Sequence, residues 1–86
     1  MDQDREDIIR QIKDKIVELA DQLDNDARQL EDDEMIPATG LVDSTALLSL
    51  MAWYERVFEV PIKPDEITID NFGTLNLMAD FVLARR

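Results

Sequence analysis

Apolar residues return at steps of three and four along the first quarter of the chain: Ile9, Ile12, Ile16, Leu19 and Leu23. That spacing lines one side of an α-helix and predicts an amphipathic first helix with a core-facing stripe. Asp2, Asp4, Glu6 and Asp7 cluster at its start, where free backbone N–H groups favour negative charge. Lys13 and Asp14 fall on its outer face. The period breaks at Asp24. From there to Asp43 acids are frequent, Pro37 and Gly40 interrupt, and only Ala27 to Leu30 suits a turn of helix. Leu30, Met35, Ile36 and Leu41 are expected to pin this connection across the core. Loops of such length are uncommon in small domains and are often functional.

The period resumes at Ser44 and predicts a second helix to Phe58. Leu47, Leu50, Tyr54, Val57 and Phe58 form its core stripe, at about 100° per residue. Ser44, Leu48, Glu55 and Glu59 point another way, with Met51 at the border and Ala52 on the far flank. Trp53 faces away from both groups, either against the long loop or in solvent. Pro61 and Pro64 forbid continued helix. The segment "ITIDNFGT" alternates like a strand, but a lone strand has no pairing partner, so it reads as loop or short helix around Asp70 to Phe72. Thr74 is a suitable N-cap for a last helix, Leu75 to Ala84, with an apolar stripe of Leu75, Met78, Phe81 and Val82 and Leu77 at its edge. Arg85 and Arg86 suit its C-terminus. The expected fold is all-α: one domain over residues 1–86, a four-helix bundle of three main helices, a short one and a long first connection.

Composition narrows the chemistry. The 86 residues carry 20 acids, 9 bases and no histidine, a formal net charge of −11. Nucleic acid and anionic membrane surfaces are disfavoured partners, and basic patches on proteins are favoured ones. No apolar run reaches membrane-spanning length. The acidic start lacks the positive region of a secretory leader, so a cytoplasmic location is expected. Without histidine or cysteine the chain lacks the commonest general base and any thiol of its own, so an enzyme is not expected. A calcium loop beginning at Asp24 fails, since Arg28, Gln29 and Met35 stand where oxygen ligands and a glycine are required.

Ser44 has two readings. Asp43 or Ser44 ahead of an apolar periodic run is an ordinary helix cap. Alternatively, another enzyme uses Ser44 as an acceptor, since no activating base accompanies it. The segment Gly40-Leu41-Val42-Asp43-Ser44, preceded by a long loop and followed by a helix, a proline-interrupted stretch with Phe72, and Thr74 opening a final helix, resembles the acyl carrier proteins over nearly the whole chain. In that family the serine after the aspartate carries 4′-phosphopantetheine. The resemblance therefore implies that attachment at Ser44, with Asp43 helping to position metal-bound coenzyme A in a phosphopantetheinyl transferase. A phosphodiester also suits a helix N-terminus. The arm's thiol would hold an acyl or aminoacyl group as a thioester. An unmodified acidic helical interaction module is the alternative.

The chain departs from the family's fatty-acid carriers. Thr45 stands where leucine or methionine is usual. The helix after Ser44 carries only Glu55 and Glu59 as acids. Residues 1–40 hold 13 acids and 5 bases, whereas residues 41–86 hold 7 and 4, so the excess acid lies away from that helix. The stretches "GLVDS" and "DNFGT" resemble specialised freestanding carriers, including D-alanyl and other aminoacyl carriers, more than the housekeeping fatty-acid carrier. They imply a monomer loaded by its own ATP-dependent acyl or aminoacyl ligase and serving downstream acyl-transfer enzymes. Thr45, Leu48, Met51, Ala52, Glu55 and Glu59 are the candidate partner contacts, core being the alternative place for Leu48 and Met51. Leu50, Tyr54, Phe72 and Leu77 are the candidate cargo lining. The bulk of Tyr54 favours a short acyl or aminoacyl group.

Overall fold

In a computed structural model, residues 5–85 are described. Five α-helices follow in order: α1 Arg5–Asp21, α2 Ile36–Thr39, α3 Ser44–Phe58, α4 Ile69–Phe72 and α5 Leu75–Ala84. A 3-10 turn, Pro64–Glu66, precedes α4. The described residues contain no strand. The long helix α1 packs on both α3 and α5, and α4 packs on α5. The all-α expectation holds, with two short helices rather than one. The added helix, α2, is local in origin. Pro37 sits at its start, where a missing N–H costs nothing, and Gly40 ends it at φ 71°.

The α1 stripe is Ile8, Ile9, Ile12, Ile16, Leu19 and Ala20, all buried. Leu23 does not join it. The helix ends at Asp21, and the Leu23 and Asp24 N–H groups close tight turns onto the Ala20 and Asp21 carbonyls at 2.9 and 3.0 Å. Leu23 is thereby turned out, 40% exposed. Glu6 and Asp7 occupy the first turn; Asp2, Asp4 and Arg86 lie outside the described residues.

The long connection is pinned by Ala27, Leu30, Ile36 and Val42, all buried, with Leu41 half-buried against them. Leu30 N–H donates to the Ala27 carbonyl at 3.0 Å, the expected single turn. Met35 is a correction: it is 38% exposed, and what it packs is its sulfur, against Gly73. A Cβ on Gly73 would sit 2.5 Å from the Ile69 carbonyl oxygen and 2.7 Å from that sulfur. The close approach lets the Ile36 N–H reach the Gly73 carbonyl at 2.8 Å, while the Asn76 N–H reaches the Asp32 carbonyl at 3.0 Å. Two backbone bonds thus fasten the acidic loop to the α4–α5 corner.

On α3 the core stripe is Ala46, Leu50, Met51, Tyr54 and Phe58. Val57 is a second correction. In the last turn the inward place goes to Phe58, whose ring meets Tyr54 and Trp53 edge-on at 5.2 and 5.8 Å, and Val57 is left at the surface. Trp53 is half-buried and borders a depression with Gln11, Asp14, Lys15 and Glu18 of α1, not the long loop. Helix α3 ends on Glu59 at φ 55°, a left-handed conformation that costs a residue with a Cβ more than glycine. Glu59→Gly is expected to raise stability by about 0.5 kcal/mol, the relief of strain being partly offset by glycine's greater unfolded-state entropy. The midpoint of urea unfolding checks it.

The segment after α3 is held by Glu66. Its carboxylate accepts from the Lys63 N–H at 3.0 Å and pairs with Arg85, whose guanidinium also lies 4.3 Å from the Phe81 ring centre. Arg85, and then the Lys63 N–H, hold the Glu66 carboxyl below the usual range. A carboxyl lowered by folding contributes stability that is present above its unfolded pKa and lost as pH falls through the folded one. Glu66→Gln is therefore expected to flatten the acid limb of the stability–pH profile, measured as urea midpoints, and to leave its slope near neutrality unchanged. Thr74 caps α5 as expected, its hydroxyl accepting from the Leu77 N–H at 3.0 Å. Among the described residues, no helix is long and apolar enough to cross a membrane.

Candidate functional site at the start of helix α3

The approach to Ser44 is rigidly held. Gly40 turns the chain out of α2, and a Cβ there would meet nothing, so its backbone angle rather than space calls for glycine. The Thr39 hydroxyl donates to the Ile36 carbonyl at 2.6 Å and accepts from the Leu41 N–H at 3.2 Å. Asn25 donates to the Leu41 carbonyl at 2.9 Å. Val42 is buried beneath this turn. Leu41 and Val42 therefore act as the anchor that brings Asp43 and Ser44 to the surface.

Asp43 is the N-cap. Its backbone is extended, and its carboxylate accepts from the Ala46 N–H at 2.8 Å. Ser44 is the first helical residue, exposed, and its hydroxyl has no hydrogen-bond partner among the described residues. Nor does any described group accept from the Ser44 or Thr45 backbone N–H, while the Leu47 N–H reaches the Asp43 carbonyl at 2.9 Å. The capping role thus belongs to Asp43 alone. Asp43→Ala is expected to cost about 1 kcal/mol, the usual loss for a side-chain cap, read from thermal or urea unfolding.

The candidate partner residues separate. Thr45, Ala52 and Glu59 are exposed, and Leu48 is 65% exposed, the most exposed large apolar side chain described. Met51 is a correction: at 6% exposure it belongs to the core edge, because it packs beneath α4 rather than beside Leu48. Glu55 is half-buried and accepts from the Ile62 N–H at 2.9 Å, so it braces the chain leaving α3. Arg56 lies exposed on the same helix.

The expected cargo lining is also rearranged. Leu50 and Tyr54 are fully buried, and Leu77 is half-buried on α5. Instead, an apolar groove of about 160 Å³ opens between α3 and α4, walled by Leu47, Met51, Ile67, Ile69, Phe72 and Pro37. Thr68 and Gly73 complete it. Of the four expected residues only Phe72 lines it. Tyr54 is instead part of a ring cluster with Phe58, Phe72 and Phe81 that fills the interior, with Tyr54–Phe72 and Phe72–Phe81 ring centres 5.4 and 4.8 Å apart. The Tyr54 hydroxyl donates to the Met78 carbonyl at 2.6 Å. Burial raises the Tyr54 phenol pKa and outweighs the nearby Val82 N–H, which lowers it.

Ser44, Leu47 and Met51 are spaced by three and four, so the serine heads the α3 row that walls the groove. At ~1.5 Å per residue, Met51 lies about 10 Å down the axis from Ser44. The groove's other wall is Ile67 and Ile69, missed as site residues. Their signal was the unpaired alternation itself: apolar side chains at 47% and 57% exposure in a segment too short to bury them. No family model, curated protein or solved structure matches this chain.

Proposed function

We propose that the chain is a carrier protein of the acyl carrier type, with 4′-phosphopantetheine attached through Ser44. The observation that carries this reading is the state of Ser44: exposed, first in α3, its hydroxyl unengaged among the described residues and its helix already capped by Asp43. The residues present fit the group. A phosphodiester on Ser44 meets two backbone N–H groups without partners among the described residues, at the positive end of a helix of fifteen residues. The bound group supplies a thiol, which the chain itself lacks, for thioester formation. Asp43 retains a second carboxylate oxygen for the metal-bound coenzyme A of a phosphopantetheinyl transferase, and Leu41 and Val42 fix the segment that the transferase must read.

The same reading makes the chain a dedicated carrier, charged by an ATP-dependent ligase and discharged by acyl-transfer enzymes. Thr45, Leu48 and Ala52 supply a mostly neutral contact face, with Glu59 at its far end and Arg56 among them. Such a face favours apolar docking over the strong electrostatic steering that the net charge alone suggests.

Incubation with coenzyme A, magnesium and a broad-specificity phosphopantetheinyl transferase tests the proposal. Intact mass is expected to rise by one phosphopantetheine, and peptide fragmentation to place it on Ser44. An unchanged mass favours the unmodified interaction module instead.

A further inference from the structure

We infer that Met35 is an oxidation site: a hydroperoxide converts its thioether to the sulfoxide, and the sulfoxide opens the clasp that holds α2 to the α4–α5 corner, whether or not Ser44 is modified.

Access singles out Met35. It is 38% exposed, whereas Met51 is 6% exposed and Met78 is fully buried. Oxidation of sulfur side chains follows their exposure. In the step itself a sulfur lone pair attacks one peroxide oxygen. The S–O bond forms as the O–O bond breaks, and the proton of the transferred oxygen passes to the leaving one. Sulfur loses two electrons, the peroxide gains them, and water or an alcohol departs.

Position gives the change its consequence. The Met35 sulfur packs against Gly73, beside the carbonyl oxygen and a side-chain methyl of Ile69: a Cβ built on Gly73 would lie 2.7, 2.5 and 2.9 Å from the three. A sulfoxide oxygen is a strong acceptor, and burying it without a donor is costly. At this corner the Gly73 N–H already donates to the Ile69 carbonyl and the Ile36 N–H to the Gly73 carbonyl, each at 2.8 Å. The new oxygen would therefore meet a methyl group and another acceptor, so the oxidised side chain turns out to water. Ile36 is the next residue, fully buried and bonded to Gly73. With the sulfur gone from Gly73, water reaches that bond, one of the two that fasten the acidic loop to the α4–α5 corner.

The test treats the folded full-length chain with hydrogen peroxide and follows each methionine by peptide mass. Met35 is expected to gain one oxygen at least about tenfold faster than Met51 or Met78. The sulfoxide form is expected to melt roughly 5 °C lower. Its Ile36 amide is expected to exchange with deuterium about tenfold faster, a larger factor than at the Ile12 amide of α1. Methionine sulfoxide reductase is expected to restore both readings. Met35→Leu keeps an apolar side chain of similar size that cannot take up oxygen. Peroxide is expected to leave its melting temperature and its Ile36 exchange unchanged, which also excludes Met1 as the cause. Equal oxidation rates at Met35, Met51 and Met78, an Ile36 amide indifferent to the sulfoxide, or the same fall in melting temperature in peroxide-treated Met35→Leu overturns the inference.

Discussion

Ser44→Ala is expected to abolish phosphopantetheine attachment completely, from one group per chain to none, with stability changed by no more than about 0.5 kcal/mol. The two halves of that result have separate causes. Attachment needs an oxygen nucleophile at this position, and the neighbouring hydroxyl, Thr45, projects from the helix about 100° away, outside the register that the Asp43 cap and the Leu41–Val42 anchor present. Stability is spared because the Ser44 hydroxyl bonds to nothing among the described residues and because alanine suits a helix. Asp43→Ala behaves in the opposite sense, since the cap contributes to folding whether or not the serine is modified. Intact mass together with urea unfolding separates the two variants. A Ser44→Ala protein that still gained mass, or one that lost as much stability as Asp43→Ala, would contradict the division of roles between cap and acceptor.

The long helices were legible because each carries an unbroken period and a chemical start. Thr74 announced α5, and the Asp43–Ser44 pair announced α3, to the residue. What the period could not supply was which edge of a broad apolar arc turns inward. Met51 and Val57 lie on opposite flanks of the α3 stripe; Met51 is buried where it meets Ile69 and Phe72 of α4, and Val57 is 40% exposed. That choice belongs to a four-residue helix with no periodic signal of its own. The candidate site divided in the same way. Asp43 and Ser44 were found by local chemistry, a cap and a hydroxyl at a helix start. The groove escaped because its walls come from three separate stretches, around Pro37, Leu47 and Ile69, brought together by the Gly73 contact and the loop's two backbone bonds. Tyr54 was misassigned to the lining for a related reason. A helical position facing inward is compatible with either a pocket or a filled core, and the ring contacts that decide it are long-range.

The filled core carries the largest stability effect. Tyr54→Ala is expected to cost about 3–5 kcal/mol, against about 4–13 kcal/mol for the whole of an 86-residue domain. Tyr54 is fully buried, and its ring meets Phe58, Phe72 and Phe81 with centres 5.2, 5.4 and 6.5 Å away. Truncation opens a cavity where α3 faces α4 and α5, and the small number of core layers leaves little to close it. Tyr54→Phe isolates the remainder. It keeps every ring contact and removes only the bond to the Met78 carbonyl, so about 1 kcal/mol is expected. Tyr54 supports Phe72 from behind and does not line the groove, so Tyr54→Phe should keep the fold. Urea midpoints measure the contrast. A Tyr54→Phe loss as large as that of Tyr54→Ala would mean that the hydroxyl, rather than the ring, holds the three helices together.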